Sequence, residues 1–352
     1  MRVGHAGRML ELSPAQRVEA ALMRSLLNLP PVLRRRLTGP PVSRRGQVLD
    51  PQVHVVLTLN RLMGNKNADE VGPERARVQT DVSAAQVTHA PARVASVEER
   101  KLAGRPVRIY RPEGERRPGP ALLYIHGGGF VVGGIDSHDT PCRELAARAR
   151  CTVVSVDYRL APEHLFPAAA DDCLATFRAM VAEADALGLD RRRLAIGGDS
   201  AGGNLSAVLA LDTRNDEVRP CFQLLIYPAV DMTMSSPSID ELGQGFFLEK
   251  QTIAWYRDRY LGDNDQKHPR ASPLFVEDLS GLPPALVVTA GFDPLWDEGQ
   301  AYAERLREAG VEVAHHHHAG MFHGFWNCTN VIREAERAFD EAVGVTRAAL
   351  GG

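Results

Sequence analysis

From about Arg105 onward, short runs of β-branched and aliphatic residues alternate with longer stretches whose apolar positions recur every three or four residues. The short runs are Val107–Tyr110, Leu122–Ile125, Thr152–Val156, Leu194–Ile196, Gln223–Ile226, Leu286–Thr289 and Val311–Val313, and each reads as a strand. Between them, "PCRELAARA", "AAADDCLATFRAMVAEADALG", "SAGGNLSAVLALDTR" and "GQAYAERLREAG" read as helices. Strands alternating with helices predict βαβ units and a mostly parallel central sheet flanked by helices. The stretch from Pro228 to about Leu274 breaks the alternation, is helical in part ("LEKQTIAWYRDRYLG"), and reads as an insertion.

Upstream of Arg105 the pattern is helical. "SPAQRVEAALMRSLLNLPP" has Ser13 as N-cap and Pro14 in the first helical position. Val18, Ala21, Leu22, Ser25, Leu26 and Leu29 fall on one stripe, expected to face a core. "DPQVHVVLTLNRLMG" is a second helix, and residues 65–95 are polar and poorly periodic, which suggests a linker or a loosely packed part of a cap. The resulting division is an N-terminal helical segment (1–95) contributing to a cap, a first core part (96–227), a cap insertion (228–274) and a second core part (275–352).

Composition narrows the class. The chain has 352 residues, 44% hydrophobic and 24% charged, and a net charge of −3, so nucleic acid is not expected as a partner. The first 50 residues carry nine arginines against Glu11, Glu19 and Asp50, a balance of +6 that leaves −9 on the remainder. Three readings compete for this basic segment: a helix packed on the main domain, a helix docked on an anionic membrane surface, and an organellar transit peptide. Five scattered cysteines without a CxxC pair suggest reduced thiols in a cytoplasmic protein. The N-terminus lacks the continuous apolar core of a signal peptide, and no stretch approaches the roughly 20 apolar residues of a membrane span.

Chemistry enters at "GGDSAGGNL". Gly198-Asp199-Ser200-Ala201-Gly202 is a G-x-S-x-G between a strand ("RRLAIGG") and a helix. Glycines on both sides permit a sharp turn that holds Ser200 out at the carboxyl edge of the sheet, and the helix points its free N–H groups at whatever the serine attacks. "YIHGGGF" follows another strand, and its glycines let backbone N–H groups approach a ligand closely. This suits an oxyanion hole with Gly127 and Gly128 from the loop and Ala201 after the serine. A phosphate cradle is the alternative, weakened by the absence of GxxxxGK[ST] and GxGxxG. A serine needs a base, and the base an orienting acid. Asp293 in "LVVTAGFDPLWDEG" and His323 in "GMFHGFW" stand in the order Ser, Asp, His, each after a strand.

With these residues the chain resembles the hormone-sensitive lipase family of α/β-hydrolases, in its bacterial esterase branch. The matching pieces are "HGGGF", "DYRLAPEHLFPAAADD", "GDSAGGNL", "DPLWDEG" and "GMFHGF", and they extend from roughly Leu49 to the C-terminus. The resemblance implies an α/β-hydrolase fold with a helical cap, Ser200 as nucleophile, His323 as general base and acid, Asp293 orienting it, and Gly127, Gly128 and Ala201 as oxyanion donors. It implies a serine carboxylesterase acting on short- to medium-chain acyl esters through an acyl-enzyme, with no metal or organic cofactor required. An amidase, lactonase or deacetylase would use the same residues, and a small-ligand receptor could share the scaffold. Within "DYRLAPEH", Arg159 and Glu163 are expected to tie loops together, and His126 to anchor the glycine loop.

Phe246, Phe247, Trp255 and Tyr256 are candidates for an apolar pocket surface that sets substrate size. The run His315–His318 stands where the family often has tyrosine and proline, and the first 45 or so residues look longer than the family minimum. Residues on a strand alternate faces, so only two of the four histidines could meet one metal ion from one side, and a solvated edge strand is the expected setting. Such an edge could pair with a second copy, and histidines charging below their usual pKa near 6.5 would then repel the partner.

Overall fold

The structure, a computed structural model, describes residues 12–88, 91–115 and 117–351. The start of the basic N-terminal segment, residues 1–11, lies outside the described residues. In chain order the elements are α1 (Pro14–Leu27), α2 (Pro31–Thr38), a small hairpin of β1 (Ser43–Arg44) and β2 (Gln47–Val48), α3 (Pro51–Leu62), α4 (Ala68–Val71) and α5 (Pro73–Val87). Then come β3 (Ser96–Leu102), β4 (Arg105–Arg111), β5 (Gly119–Ile125), α6 (Asp139–Ala149), β6 (Thr152–Val156), α7 (Ala168–Ala182) and α8 (Ala184–Leu187). The chain continues through β7 (Leu189–Asp199), α9 (Ala201–Asp212), β8 (Phe222–Ile226), α10 (Pro237–Leu242) and α11 (Lys250–Leu261). It closes with β9 (Ala285–Phe292), α12 (Trp296–Glu308), β10 (Val313–Phe322) and α13 (Arg333–Ala349).

Strands β3 to β10 form one sheet in the order β10-β9-β8-β7-β5-β6-β4-β3. From β6 to β10 across the sheet every pair is parallel, and β4 alone runs the other way, antiparallel to both β6 and β3. This is the mostly parallel sheet expected from the alternation, in the α/β-hydrolase arrangement that the resemblance implies. Both faces of the sheet are covered. Phe177 of α7, Leu205 of α9 and Tyr302 of α12 belong to the core on one face. Leu145 of α6, Phe339 of α13 and Val53 of α3 belong to the core on the other. Helix α9 is buried from Ala201 to Ala210, which explains its mostly small or apolar sequence. Parallel strands all end on the same side, so the loops after β5, β7, β9 and β10 converge there.

The N-terminal reading is corrected in two places. Helix α1 forms as expected, with Ser13 and Gln16 in a reciprocal capping box. However, it packs through Ala20 and Leu27, while Val18 and Leu22 are 69% and 58% exposed. Polar anchors help choose that face: Gln86 of α5 donates to Glu19, and Arg24 donates to the Gln86 carbonyl. Residues 65–95 are also more ordered than their pattern suggested. They contain α5, whose weak amphipathicity hid it. Arg77 holds that helix in place by donating to the carbonyls of Val131 and Ala161 and pairing with Glu163. Hydrogen bonding to Arg77 draws the Glu163 carboxyl down to about 2. Arg159 in turn donates to Asp172, so both residues singled out in "DYRLAPEH" do tie segments together. Among the described residues no helix is long and apolar enough to cross a membrane.

The last strand is an edge of the sheet, but it begins at Val313 and runs through the histidines to Phe322, and of the run His315–His317 are half-buried and His318 is buried. His315 and His317 each hydrogen-bond Thr289 Oγ1 at 2.9 Å, and His317 also bonds Gln47 and stacks on Trp296. His316 and His318 face α13, 3.9 Å from Glu341 and 3.8 Å from Glu334. Burial, foremost, lowers the pKa of His315, His317 and His318, that of His317 to about 4. The expected charging just below 6.5 is therefore corrected downward.

The sign of the consequence follows from linkage. An unfolded histidine takes its proton near 6.5, and the folded one only further down, so protonation favours the unfolded chain in between. Stability is expected to fall as the pH drops from about 6.5 toward 4. Urea unfolding midpoints should show this loss, and His317→Gln should shrink it; a midpoint unchanged across that range contradicts the assignment.

Candidate active site

The G-x-S-x-G turn has the strain anticipated for it. Ser200 follows β7 directly and takes φ +55° and ψ −116°, a left-handed conformation for a non-glycine residue. Its N–H donates to the Ile226 carbonyl at 2.8 Å, which pins the turn to the end of β8. A Cβ on Gly198 or on Gly202 would overlap the Ile125 carbonyl oxygen, so the turn closes this tightly on β5 only with glycine at both positions.

Three side chains from three strand ends then meet. Ser200 Oγ lies 2.9 Å from His323 Nε2, and His323 Nδ1 lies 2.8 Å from Asp293 Oδ2. Asp293 is fully buried directly after β9, and its Oδ1 accepts the Leu295 N–H at 2.8 Å. With the imidazole proton on Nδ1, His323 donates to Asp293 and accepts from the Ser200 hydroxyl, the one tautomer that satisfies both contacts. The Tyr227 ring lies 4.5 Å from the imidazole and limits its movement. Gly324, at φ +89°, turns the chain immediately after His323.

The glycine loop departs from expectation at one residue. The Gly127 N–H donates to Asp199 Oδ1 at 3.1 Å and is occupied, which corrects its assignment as an oxyanion donor. Among the described residues the amides of Gly128, Gly129 and Ala201 have no hydrogen-bond partner. Gly129 is the residue the sequence reading missed, because three successive glycines carry no local mark of which amides stay free. Asp199 decides the matter. Its carboxylate also accepts from the Tyr124 hydroxyl at 2.7 Å and faces His138. Burial raises the Asp199 pKa, but His138 and Tyr124 outweigh it and hold the carboxyl below its usual range. His126 is an anchor: its Nδ1 bonds the Gly127 carbonyl, its ring stacks on Tyr158 at 4.2 Å, and burial with His138 lowers its pKa to about 3.

The aromatic candidates separate. Phe246 is 7% exposed and packs edge-on against Phe292 in the core. Phe247 is 51% exposed, packs on Phe322, and its ring stands 3.3 Å from where a Gly324 Cβ would be, beside His323. Trp255 lies against Tyr256 and under the Arg259 guanidinium. Tyr256 of α11 is the ring that reaches the loop, lying against Gly129 so closely that a Cβ there would overlap it.

A family model described as alpha/beta hydrolase fold matches residues 122–327. The chain belongs to this hydrolase family, in its hormone-sensitive-lipase-like branch. The hydrolase is 44% identical over 236 residues to an ethyl acetate hydrolase of Pseudomonas putida, covering 66% of this chain and 74% of that protein. It is 39% identical over 318 residues to the carboxylic ester hydrolase LipN of Mycobacterium tuberculosis, covering 87% and 84%. Among solved structures, an ester-hydrolase from the metagenome of Lake Arreo, complexed with a bipyridine phosphonate derivative, superposes with a TM-score of 0.83 at 42% identity. That match covers 86% of this chain and all of the other. The hydrolase is an ester hydrolase.

Proposed function

We propose that this ester hydrolase cleaves short- to medium-chain acyl esters through an acyl-enzyme on Ser200. The observation that carries the reading is the unbroken hydrogen-bonded chain from Ser200 through His323 to buried Asp293. Ser200 Oγ attacks the ester carbonyl carbon while its proton passes to His323 Nε2. Asp293 keeps the imidazole in the required tautomer and stabilises the imidazolium. The amides of Gly128, Gly129 and Ala201 stabilise the negative charge that develops on the carbonyl oxygen. His323 then protonates the leaving alcohol, a water adds to the acyl-enzyme with His323 as base, and the carboxylic acid leaves. The name of the Pseudomonas putida relative supports a small ester as substrate.

The reading is tested with a p-nitrophenyl alkylphosphonate, whose phosphorus a nucleophilic serine attacks with loss of p-nitrophenol. One adduct per chain, on the peptide containing Ser200 and with complete loss of ester hydrolysis, is expected. Labelling at another residue, or activity that survives full labelling, rejects it.

The helices of residues 1–95 and of 228–274 form a cap in this proposal. Its support is the hydrogen bond from Thr252 of α11 to Asp69 of α4 at 2.6 Å, together with the seat of Tyr256 on Gly129. Phe247 is the pocket residue on this account. Phe247→Ala is expected to raise KM for hexanoyl and octanoyl esters by roughly fivefold, from about 1 kcal/mol of lost apolar contact. Acetyl esters and kcat should change little; an equal effect on all chain lengths removes Phe247 from the acyl site. Pairing of two copies along the outer edge of β10 belongs to the proposal as well, and a monomer in sedimentation velocity removes it.

A further inference from the structure

Tyr227 stands directly after β8 with φ +35°, a backbone conformation that strains every residue but glycine, and a large aromatic one most. Glycine would adopt it without cost, so the chain keeps a ring here against its local preference. Strain of this kind persists only where the surroundings over-determine the backbone. Here they do. The carbonyl of Ile226, the preceding residue, accepts the Ser200 N–H at 2.8 Å. The N–H of Ala229, two residues on, donates to the Ser200 carbonyl at 3.3 Å, and the Tyr227 N–H donates to the Val288 carbonyl of β9 at 2.6 Å. The chain on both sides of Tyr227 is thus bonded to the backbone of the nucleophile.

From that fixed backbone the side chain reaches the histidine. Tyr227 is fully buried, and its ring centre lies 4.5 Å from that of His323 with the two planes 52° apart. It also meets Phe325, two residues beyond His323 and itself fully buried, edge-on at 5.5 Å. One residue therefore has its backbone tied to the turn after β7 and its ring packed on the loop after β10.

His323 has need of such a support. Its contacts with Asp293 at 2.8 Å and with Ser200 at 2.9 Å are hydrogen bonds made in the plane of the imidazole. They leave the ring able to tip about the line joining its two partners, and packing is what opposes that tipping. The demand is greatest once Ser200 is acylated, because the serine then has no proton with which to bond Nε2. In deacylation a water adds to the acyl carbon and passes a proton to Nε2, and Nε2 returns a proton to Ser200 Oγ as the Oγ–acyl bond breaks. Both transfers need the imidazole in a place where the serine hydroxyl no longer holds it.

We propose that Tyr227 is a positioning residue, which sets the His323 imidazole relative to Ser200 and acts above all in deacylation. The proposal rests on the acyl-enzyme reading of Ser200. The ring acts through His323, and the phenol hydroxyl takes no part.

The test uses the full chain and p-nitrophenyl butyrate. Rates are taken per active site titrated with the p-nitrophenyl alkylphosphonate, so that unfolded protein does not count. For an acyl-enzyme, kcat/KM reports the steps up to acylation, whereas kcat includes deacylation. Tyr227→Leu removes the ring but keeps an apolar side chain, and Tyr227→Gly removes it while releasing the backbone strain. Each is expected to lower kcat about tenfold, within the ~10²-fold that a displacement of about 1 Å can cost. KM should fall alongside, so that kcat/KM changes much less, and a burst of p-nitrophenol should mark the accumulating acyl-enzyme. Tyr227→Phe, which keeps the ring, should restore the wild-type kcat. Fewer active sites with a wild-type kcat at each, the outcome of a merely structural role, overturns the proposal. A kcat/KM that falls as far as kcat overturns it as well, and a Tyr227→Phe as slow as Tyr227→Leu does so by moving the effect to the hydroxyl. Wild type that takes up no phosphonate at Ser200 overturns the acyl-enzyme reading itself, which keeps the two failures distinct.

Discussion

Ser200→Ala is expected to lower kcat by about 10⁵–10⁶-fold while leaving the fold intact. Alanine keeps the Cβ that the φ +55° backbone already accommodates, so the turn loses only the hydroxyl. What disappears is the atom that forms the acyl bond. The amides of Gly128, Gly129 and Ala201 remain, and donors of this kind with substrate binding sustain about 10³–10⁴-fold catalysis over water. The side chains at 2.9 and 2.8 Å act as one unit, so the losses should not multiply. His323→Ala should cost about as much as Ser200→Ala, the double variant no more than either, and Asp293→Asn about 10⁴-fold through the wrong tautomer. Single-turnover hydrolysis of p-nitrophenyl butyrate beside thermal unfolding separates lost chemistry from lost fold. Multiplicative losses, or a folded Ser200→Ala that keeps more than about a hundredth of the rate, would mean that another group attacks.

Gly202→Val should be the most damaging change outside those three side chains. Gly202 has an ordinary helical backbone, so the argument is purely steric. A Cβ there would overlap the Ile125 carbonyl oxygen and come within 2.8 Å of the His126 carbonyl oxygen. Both belong to backbone at the end of β5, which cannot move aside as a flexible side chain would. The first turn of α9 would have to lift from the sheet, taking with it Ser200, which precedes it, and the Ala201 amide. Overpacking of this kind costs about 4 kcal/mol or more, against total stabilities of about 5–15 kcal/mol. The expected outcome is little folded protein, and in whatever folds a loss of activity larger than the loss of folded fraction. Urea unfolding and active-site titration measure the two separately. Wild-type stability and rate in Gly202→Val would show that α9 need not sit this close to β5.

Much of the site was legible in the sequence. The steric need for glycine at 198 and 202 is local, since the strand-to-helix turn and the residues that make it are adjacent in the chain. The order Ser200, Asp293, His323 was legible because each directly follows an apolar run, and parallel strands bring their carboxyl ends to one side. The Ser13 cap of α1 was legible for the same reason, as its partners are three residues away. The polar helix α5 was not. Its place is fixed by Arg77 reaching Glu163 and two carbonyls more than fifty residues further on, and no periodic stripe announces it.

The sequence by itself therefore determined the strand–helix alternation, the strained serine turn and the identity of the three side chains that meet there. Only the tertiary structure decided which of three equivalent glycine amides is occupied, because the acceptor that removes Gly127 is a carboxylate 72 residues away. It alone decided which face of α1 is buried and which of two adjacent phenylalanines is exposed. The physical reason is common to all of these. Local conformation follows from neighbours along the chain, whereas the pairing of a particular donor, ring or charge depends on what packing brings against it.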